Sequence, residues 1–157
     1  MQKTILSLAL IALVSASASD FPSFDMMHAN CAMKVTYQNM KCPDEFSKLE
    51  ATIKSFNPDP AQGVYAVKEE STNDYVWTTR TTPVHKYVDD IIFQLTQSGP
   101  DCVVNAKSRS QTMSYYDYDT NYCNMWNVLS RSGTITDLST SECKWVPDDI
   151  TTTCAKY

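Results

Sequence analysis

The side chains with the most chemical potential in this chain lie close together, between residues 107 and 121. Two basic residues are followed by three tyrosines, two aspartates and an asparagine. Tyrosine rings that carry a hydroxyl group suit sugar stacking or a protein interface, although half-buried packing is the structural alternative. We predict that this stretch forms a binding surface, and its residues are Lys107, Arg109, Tyr115, Tyr116, Asp117, Tyr118, Asp119 and Asn121.

The run Asp117-x-Asp119-x-Asn121 also resembles the opening of a calcium loop, which has oxygen ligands at alternate positions. It is not an EF-hand, because Tyr122 stands where that motif needs glycine and Val128 where it needs glutamate. A helix-capping turn is the structural interpretation of the same residues. We therefore predict no metal and no other cofactor, with a non-standard calcium site as the alternative.

The adjacent carboxylates Asp89 and Asp90 lie in a segment that alternates like a β-strand. Neighbouring side chains of a strand point to opposite faces, so these two carboxylates cannot form one paired acid–base site. Asp89 shares its face with apolar residues, and we expect it to be a structural acid paired with Arg80 or Arg109. A carboxylate-dependent hydrolase that uses Asp89 or Asp117 is the alternative function.

Nucleophilic catalysis has little support in the sequence. The chain has two histidines and three glycines, and it lacks the G-x-S-x-G motif of many hydrolases. Ser108 or Ser110, with His85 and Asp90, would supply the residue types of a Ser-His-Asp triad. Nothing in their spacing, however, indicates that they lie together. The question of catalysis stays open, and we favour a non-catalytic domain that binds a small molecule, a glycan or a protein.

The amino-terminal residues follow the pattern of a secretory signal peptide. Lys3 precedes an apolar run over residues 5–14, and Ala16-Ser17-Ala18 is an A-x-A cleavage sequence. The run is shorter than the roughly 20 residues that span a bilayer. We predict a signal peptide over residues 1–18, a single domain over 19–157 without a membrane span, and a protein that is secreted or lumenal in the secretory pathway.

Six cysteines follow this predicted signal peptide, and an even number in an exported chain indicates disulfides rather than a metal site. The formal net charge of −5 should repel a phosphate backbone, so we predict no nucleic-acid partner. For the disulfides we favour local pairs, which are Cys31–Cys42, Cys102–Cys123 and Cys143–Cys154.

Apolar periodicity predicts the elements that must position these side chains. Pro43 to Phe56 has helical spacing, and a second helix should begin at Asp119 or Thr120 and stop at Gly133. Four β-rich segments lie between the helices, over residues 64–70, 74–82, 87–96 and 102–112. The short connections favour an α+β fold, in which a four-stranded antiparallel meander packs with two helices and disulfides stabilise the domain.

A spaced combination of motifs in the same central part resembles a known family. The motifs are Tyr75, then Val88-Asp89-Asp90-x-x-Phe93, then Lys107-Ser108-Arg109-Ser110-Gln111, and then Asp117-x-x-x-Asn121. They are similar to those of the domain-of-unknown-function family 1499 (DUF1499), from about Val64 to Leu129. Gln111 and Asn124 stand where the family has arginines. The resemblance implies a fold and not an activity, since the family has no settled function.

Overall fold

The structure is a computed structural model that describes residues 17–157. The predicted signal peptide lies outside these residues except for Ser17 and Ala18, so it stays a prediction. The strands are β1 (Asn30–Tyr37), β2 (Val64–Ser71), β3 (Tyr75–Thr81), β4 (Val88–Ser98), β5 (Asp101–Ser110) and β6 (Asp137–Ser141). The helices are α1 (Cys42–Ser55), α2 (Thr120–Ser132) and α3 (Ile150–Cys154), with a 3₁₀ turn at Ala18–Asp20.

The strands form one antiparallel sheet in the order β2-β3-β4-β5-β1-β6. The predicted meander is present as β2 to β5, but the sheet described over residues 17–157 has six strands rather than four. The strand β1 was missed although its residues alternate between buried and less buried positions. The strand β6 is a mostly polar and exposed edge strand. It is held by backbone pairing with β1, and its sequence has no apolar alternation from which a strand could be predicted.

Two helices supply the main core against one face of the sheet. Pro43 occupies the first turn of α1, and Phe46, Leu49 and Ile53 are buried beneath it. In α2 the buried apolar side chains include Met125. Both helices lie where the periodicity predicted them, because a one-sided apolar stripe buries itself against a sheet. The short helix α3 was missed. No helix within residues 17–157 is long and apolar enough to cross a membrane.

Three disulfides are present, but the predicted local pairing is wrong. Each observed bridge joins elements that the tertiary fold brings together, with Cα–Cα distances of 4.0–5.0 Å. Cys31 and Cys42 lie on β1 and α1, and Cys102 and Cys123 lie on β5 and α2. In both cases the two elements place their cysteines beside different parts of the fold, so the two cysteines do not meet. The observed pairs are Cys31–Cys143, Cys42–Cys102 and Cys123–Cys154.

The two faces of the sheet are built differently. The helix-covered face packs against α1 and α2 and holds the main core. On the opposite, open face, Tyr75, Trp77 and Ile92 form a small buried cluster. Phe21 packs on this cluster with its ring centroid 5.4 Å from that of Trp77. The segment that precedes β1 therefore covers part of the face that lacks helices.

Candidate functional site

A cavity of about 720 Å³ opens beside the loop 82–87, which joins β3 to β4. The loop 111–119 between β5 and α2 forms a second wall, together with Lys156 and Tyr157. The floor is polar, because Arg80, Asp89 and Ser110 occupy adjacent positions across β3, β4 and β5. The sheet register therefore aligns a guanidinium, a carboxyl and a hydroxyl group at the base of one cavity.

Arg80 is almost completely buried, and its charge is balanced by Asp59. Its Nε donates a 2.8 Å hydrogen bond to Asp59 Oδ2. Asp59 Oδ1 accepts from the backbone N–H groups of Ala61 and Gly63. A Cβ at Gly63 would lie 2.5 Å from the guanidinium, so glycine is needed for the close approach. Arg80 lines the cavity, and its terminal nitrogen atoms form no hydrogen bond within residues 17–157.

Asp89 is 2% exposed and is held by two neutral groups. Its carboxyl oxygens accept from Ser110 Oγ at 2.7 Å and from Asn124 Nδ2 at 2.8 Å. Burial raises the pKa of Asp89, while these two bonds and the nearby Arg80 charge oppose the increase. The expected ion pair with Arg80 or Arg109 is absent, because Arg80 pairs with Asp59 and Arg109 with Asp25.

Asp117 brings a second carboxyl group to the cavity. Its Oδ2 accepts from Asn121 Nδ2 at 2.7 Å and from the Asn121 backbone at 3.2 Å. Its Oδ1 is buried and has no hydrogen-bond partner within residues 17–157. Burial raises the pKa of Asp117, and the bonds from Asn121 oppose that effect. A residue that lines the cavity thus carries an acceptor that the described residues leave unused.

A chain of buried hydrogen bonds connects the two carboxyl groups. Asn121 Oδ1 accepts from Ser108 Oγ at 2.7 Å, and Asn124 Nδ2 lies 3.3 Å from the same hydroxyl oxygen. Asn124 also donates to Asp89. Asn121 and Asn124 are one turn apart near the start of α2. The helix therefore positions both of the amide groups that hold Asp117 and Asp89. Sequence reasoning missed Asn124, whose i+3 spacing from Asn121 is the signal for a shared helix face.

The three tyrosines of the predicted surface are exposed at the rim of the cavity. Tyr115, Tyr116 and Tyr118 have exposed fractions of 59%, 55% and 74%. The ring centroid of Tyr116 lies 5.4 Å from that of Trp145 and 6.3 Å from that of Tyr118. Lys144 Nζ lies 4.0 Å from the ring centroid of Tyr115. We call Tyr115, Tyr116, Tyr118 and Trp145 the aromatic platform. Trp145 was missed because it comes from the carboxy-terminal tail.

The other predicted binding residues lie apart from the cavity lining. Lys107 is on the open face, 5.9 Å from the ring of Phe24. Arg109 forms an ion pair of 2.7 Å with Asp25 and contacts the ring nitrogen of His28 at 2.8 Å. The structure therefore separates the basic residues of β5 from the tyrosines of the following loop.

Asp119 precedes α2 in a left-handed backbone conformation, with φ of 71°. Asp119 is the N-cap residue but makes no side-chain capping bond; Asp117 Oδ2 instead accepts from the backbone N–H of Asn121, in the first turn of the helix. The described residues contain no group of three His, Cys, Asp or Glu side chains placed to bind a metal ion. A calcium site at this loop thus stays an untested alternative without a preformed ligand cluster in residues 17–157.

The Ser-His-Asp combination is not assembled. Asp90 lies on the open face, where it accepts from Trp77 Nε1 at 2.9 Å. Ser108 is on the helix-covered face and donates to Asn121. His85 stacks on Tyr87 at the rim. The hydroxyl, imidazole and carboxylate groups therefore have separate partners.

Comparison with known proteins gives one family. A family model described as a protein of unknown function, DUF1499, matches residues 14–130. This range contains the motifs on which the resemblance rests and extends the similarity toward the amino terminus. A search of curated proteins found no match.

Proposed function

The chain belongs to the DUF1499 family of proteins of unknown function, and we propose that it is a secreted, non-catalytic binding domain whose cavity holds a small polar molecule. The observation that carries this proposal is that Asp117, which lines the cavity, has a buried Oδ1 without a hydrogen-bond partner within residues 17–157. A buried acceptor without a partner destabilises a protein by about 1–3 kcal/mol. Because this oxygen is out of contact with water in the structure, a ligand reaches it only with a rotation of the Asp117 side chain, and a hydrogen bond donated to it then removes that penalty.

The size and the lining of the cavity support the same function. Small-molecule sites have volumes of roughly 300–1,000 Å³ and combine apolar walls with a few converging polar groups. The cavity of about 720 Å³ has Tyr87, Tyr116 and Tyr118 on its walls and Arg80 and Asp89 at its base. The three disulfides support secretion, because such bonds persist in oxidising compartments.

The test is a panel of small metabolites, screened by thermal unfolding of the oxidised protein and confirmed by titration calorimetry. A ligand that binds the folded state at about 100 times its Kd stabilises it by about 2.7 kcal/mol and shifts Tm by several degrees. Asp117→Asn should weaken the binding of such a compound at least tenfold, because it replaces one acceptor with a donor. Asp137→Asn, on the exposed edge strand β6, is the matched control. Equal binding by both variants would contradict the placement of the ligand beside Asp117.

A carboxylate-dependent hydrolase is the second candidate, since two carboxyl groups with raised pKa values line the cavity. Asp117 is the better acid of the two, because both oxygens of Asp89 already accept hydrogen bonds. General acid catalysis contributes about 10²–10⁴ in rate. Turnover of nitrophenyl esters or glycosides that falls by this factor in Asp117→Asn would favour the enzyme. Turnover equal in the wild type and in the variant would exclude this role of Asp117.

A further inference from the structure

We infer that the ligand is a carbohydrate, with one sugar ring on the polar floor of the cavity and the next on the aromatic platform. This inference rests on the proposed binding function and names the chemical class of the ligand. It follows from three features that lie side by side: a floor with both donors and acceptors, walls of tyrosine, and exposed rings that continue outward from the rim.

The floor favours a neutral ligand with many hydroxyl groups. Arg80 can only donate hydrogen bonds, while Asp117 Oδ1 is an acceptor that no group within residues 17–157 uses. A simple anion would meet the carboxyl groups of Asp89 and Asp117, and a simple cation would meet the guanidinium of Arg80. An apolar ligand would leave all of these groups unpaired. A sugar hydroxyl both donates and accepts, so adjacent hydroxyls of one ring satisfy Arg80 and Asp117 together.

The tyrosine walls of the cavity suit the apolar face of a sugar ring. One face of a pyranose carries C–H groups, which pack on an aromatic ring, while its edge carries hydroxyls. Tyr87, Tyr116 and Tyr118 line the cavity, and tyrosine combines an apolar face with a polar edge. A single sugar can therefore contact rings at its face and the polar floor at its edge.

The aromatic platform extends this arrangement beyond the cavity. Tyr116 lies between Tyr118 and Trp145, and its ring plane is inclined by 29° and 36° to theirs. The rings of Tyr118, Tyr116 and Trp145 therefore contact one another in series, and all three side chains are exposed. Exposed apolar patches on secreted domains mark interaction sites. Since Tyr116 also lines the cavity, a second sugar linked to the first would lie on Tyr116 and Trp145.

A zwitterion such as an amino acid is the nearest competing class. Its carboxylate would pair with Arg80 and its ammonium with Asp117, so it also uses the floor. However, a molecule of that size ends at the rim and leaves Trp145 without a contact. The length dependence of binding and the effect of the platform separate the two classes.

The experiment is calorimetric titration of the oxidised protein with two sets of probes. The first set contains cellotriose, maltotriose, mannotriose and N,N′,N″-triacetylchitotriose with their monosaccharides, and the second contains phenylalanine, lysine and glycine betaine. We expect at least one trisaccharide to bind more tightly than its monosaccharide. Asp117→Asn should weaken both, whereas Tyr116→Ala and Trp145→Ala should weaken the trisaccharide by about 5- to 10-fold. Phe24→Ala on the open face is the aromatic control and should leave Kd unchanged.

Three outcomes would overturn the inference. If a zwitterion binds in an Asp117-dependent way and no saccharide binds, the binding function stands and the carbohydrate is wrong. If a trisaccharide binds equally to wild type, Tyr116→Ala and Trp145→Ala, the platform is not a subsite. If no compound of either set binds, and the metabolite panel also shows no shift in Tm, the proposed function fails together with the inference.

Discussion

Asp89 and Asp90 are neighbours in β4, yet they lie on opposite faces of one sheet and have different partners. Asp89 accepts from a serine hydroxyl and an asparagine amide on the helix-covered face. Asp90 accepts from the indole of Trp77, the amide of Gln111 and the ammonium group of Lys68 on the open face. The Lys68 side chain is 47% exposed, so the open face keeps contact with water next to its buried acid.

This difference explains why the cavity lies where it does. On the helix-covered face, α2 and the loops shield polar groups from water. Each of these groups either forms a hydrogen bond within the protein or stays unpaired at a cost in stability. Asp117 Oδ1 has no hydrogen-bond partner in residues 17–157. On the open face a cation can approach from solvent and balance a carboxylate at little cost. Most of the buried polar atoms without a partner in residues 17–157 lie on the covered face, and those beside the cavity are the groups that a ligand can satisfy.

The largest loss of stability should come from the buried ion pair below the cavity. Arg80→Met should lower the free energy of unfolding by about 3–5 kcal/mol, because Asp59 is left as an uncompensated buried charge. The double variant Arg80→Met/Asp59→Asn should recover part of that loss, since it removes the orphaned charge. Urea unfolding measures both. A loss below about 1 kcal/mol in the single variant would show that solvent reaches Asp59.

A pH effect of intermediate size should come from Glu45, a further carboxyl on the covered side. It is fully buried between α1 and α2, and neither of its oxygens has a hydrogen-bond partner within residues 17–157. Burial raises the pKa of Glu45 above its ordinary value of 4.5. The folded protein then binds the proton more tightly than the unfolded chain, so this contribution falls as pH rises from 4.5 through the raised value.

We expect Glu45→Gln to flatten this pH dependence by about 1–3 kcal/mol, because the glutamine cannot ionise. The measurement is urea unfolding at about pH 5 and about pH 8. Asp44→Asn, at an exposed position of the same helix, is the control. An unchanged slope in Glu45→Gln would show that Glu45 is not the group responsible.

A smaller effect should distinguish the two neighbouring aspartates directly. Asp89→Asn keeps one acceptor for Asn124 and gains a donor for Ser110 Oγ, so its stability should stay within about 0.5 kcal/mol of wild type. Asp90→Asn loses the charge that faces Lys68 and should cost about 1 kcal/mol. Thermal unfolding of the pair at neutral pH checks the difference. The reverse order would show that an amide at position 89 does not replace the two hydrogen bonds that Asp89 accepts from Ser110 and Asn124.

The smallest effect should come from Lys68 itself. Lys68→Gln removes a partly exposed ion pair of 3.3 Å and a cation–π contact with Trp77 at 4.0 Å. Such exposed interactions contribute at most about 1 kcal/mol, and salt screens them. The difference between wild type and variant should therefore shrink between low and high salt. A large, salt-independent loss would indicate that Lys68 is desolvated.

Several features of the fold could be predicted because they depend on local patterns. The apolar stripes of α1 and α2, the meander from β2 to β5 and the opposite faces of Asp89 and Asp90 all follow from the periods of helix and strand. The strands β1 and β6 could not be predicted in the same way. β1 lies beside β5 although about 70 residues separate them in the chain, and β6 has no buried side chain.

The sequence by itself determined the family, the α+β class, the presence of disulfides and the tyrosine-rich loop, since each depends on residue types and short spacings. Only the tertiary structure decided the cysteine pairs, the separation of Lys107 and Arg109 from the tyrosines, and the joining of Arg80, Asp89 and Asp117 in one cavity. Those features depend on strand order and on the approach of segments that are distant in the chain. Such approaches are set by the balance of burial and chain entropy over the whole domain, and no local pattern encodes that balance.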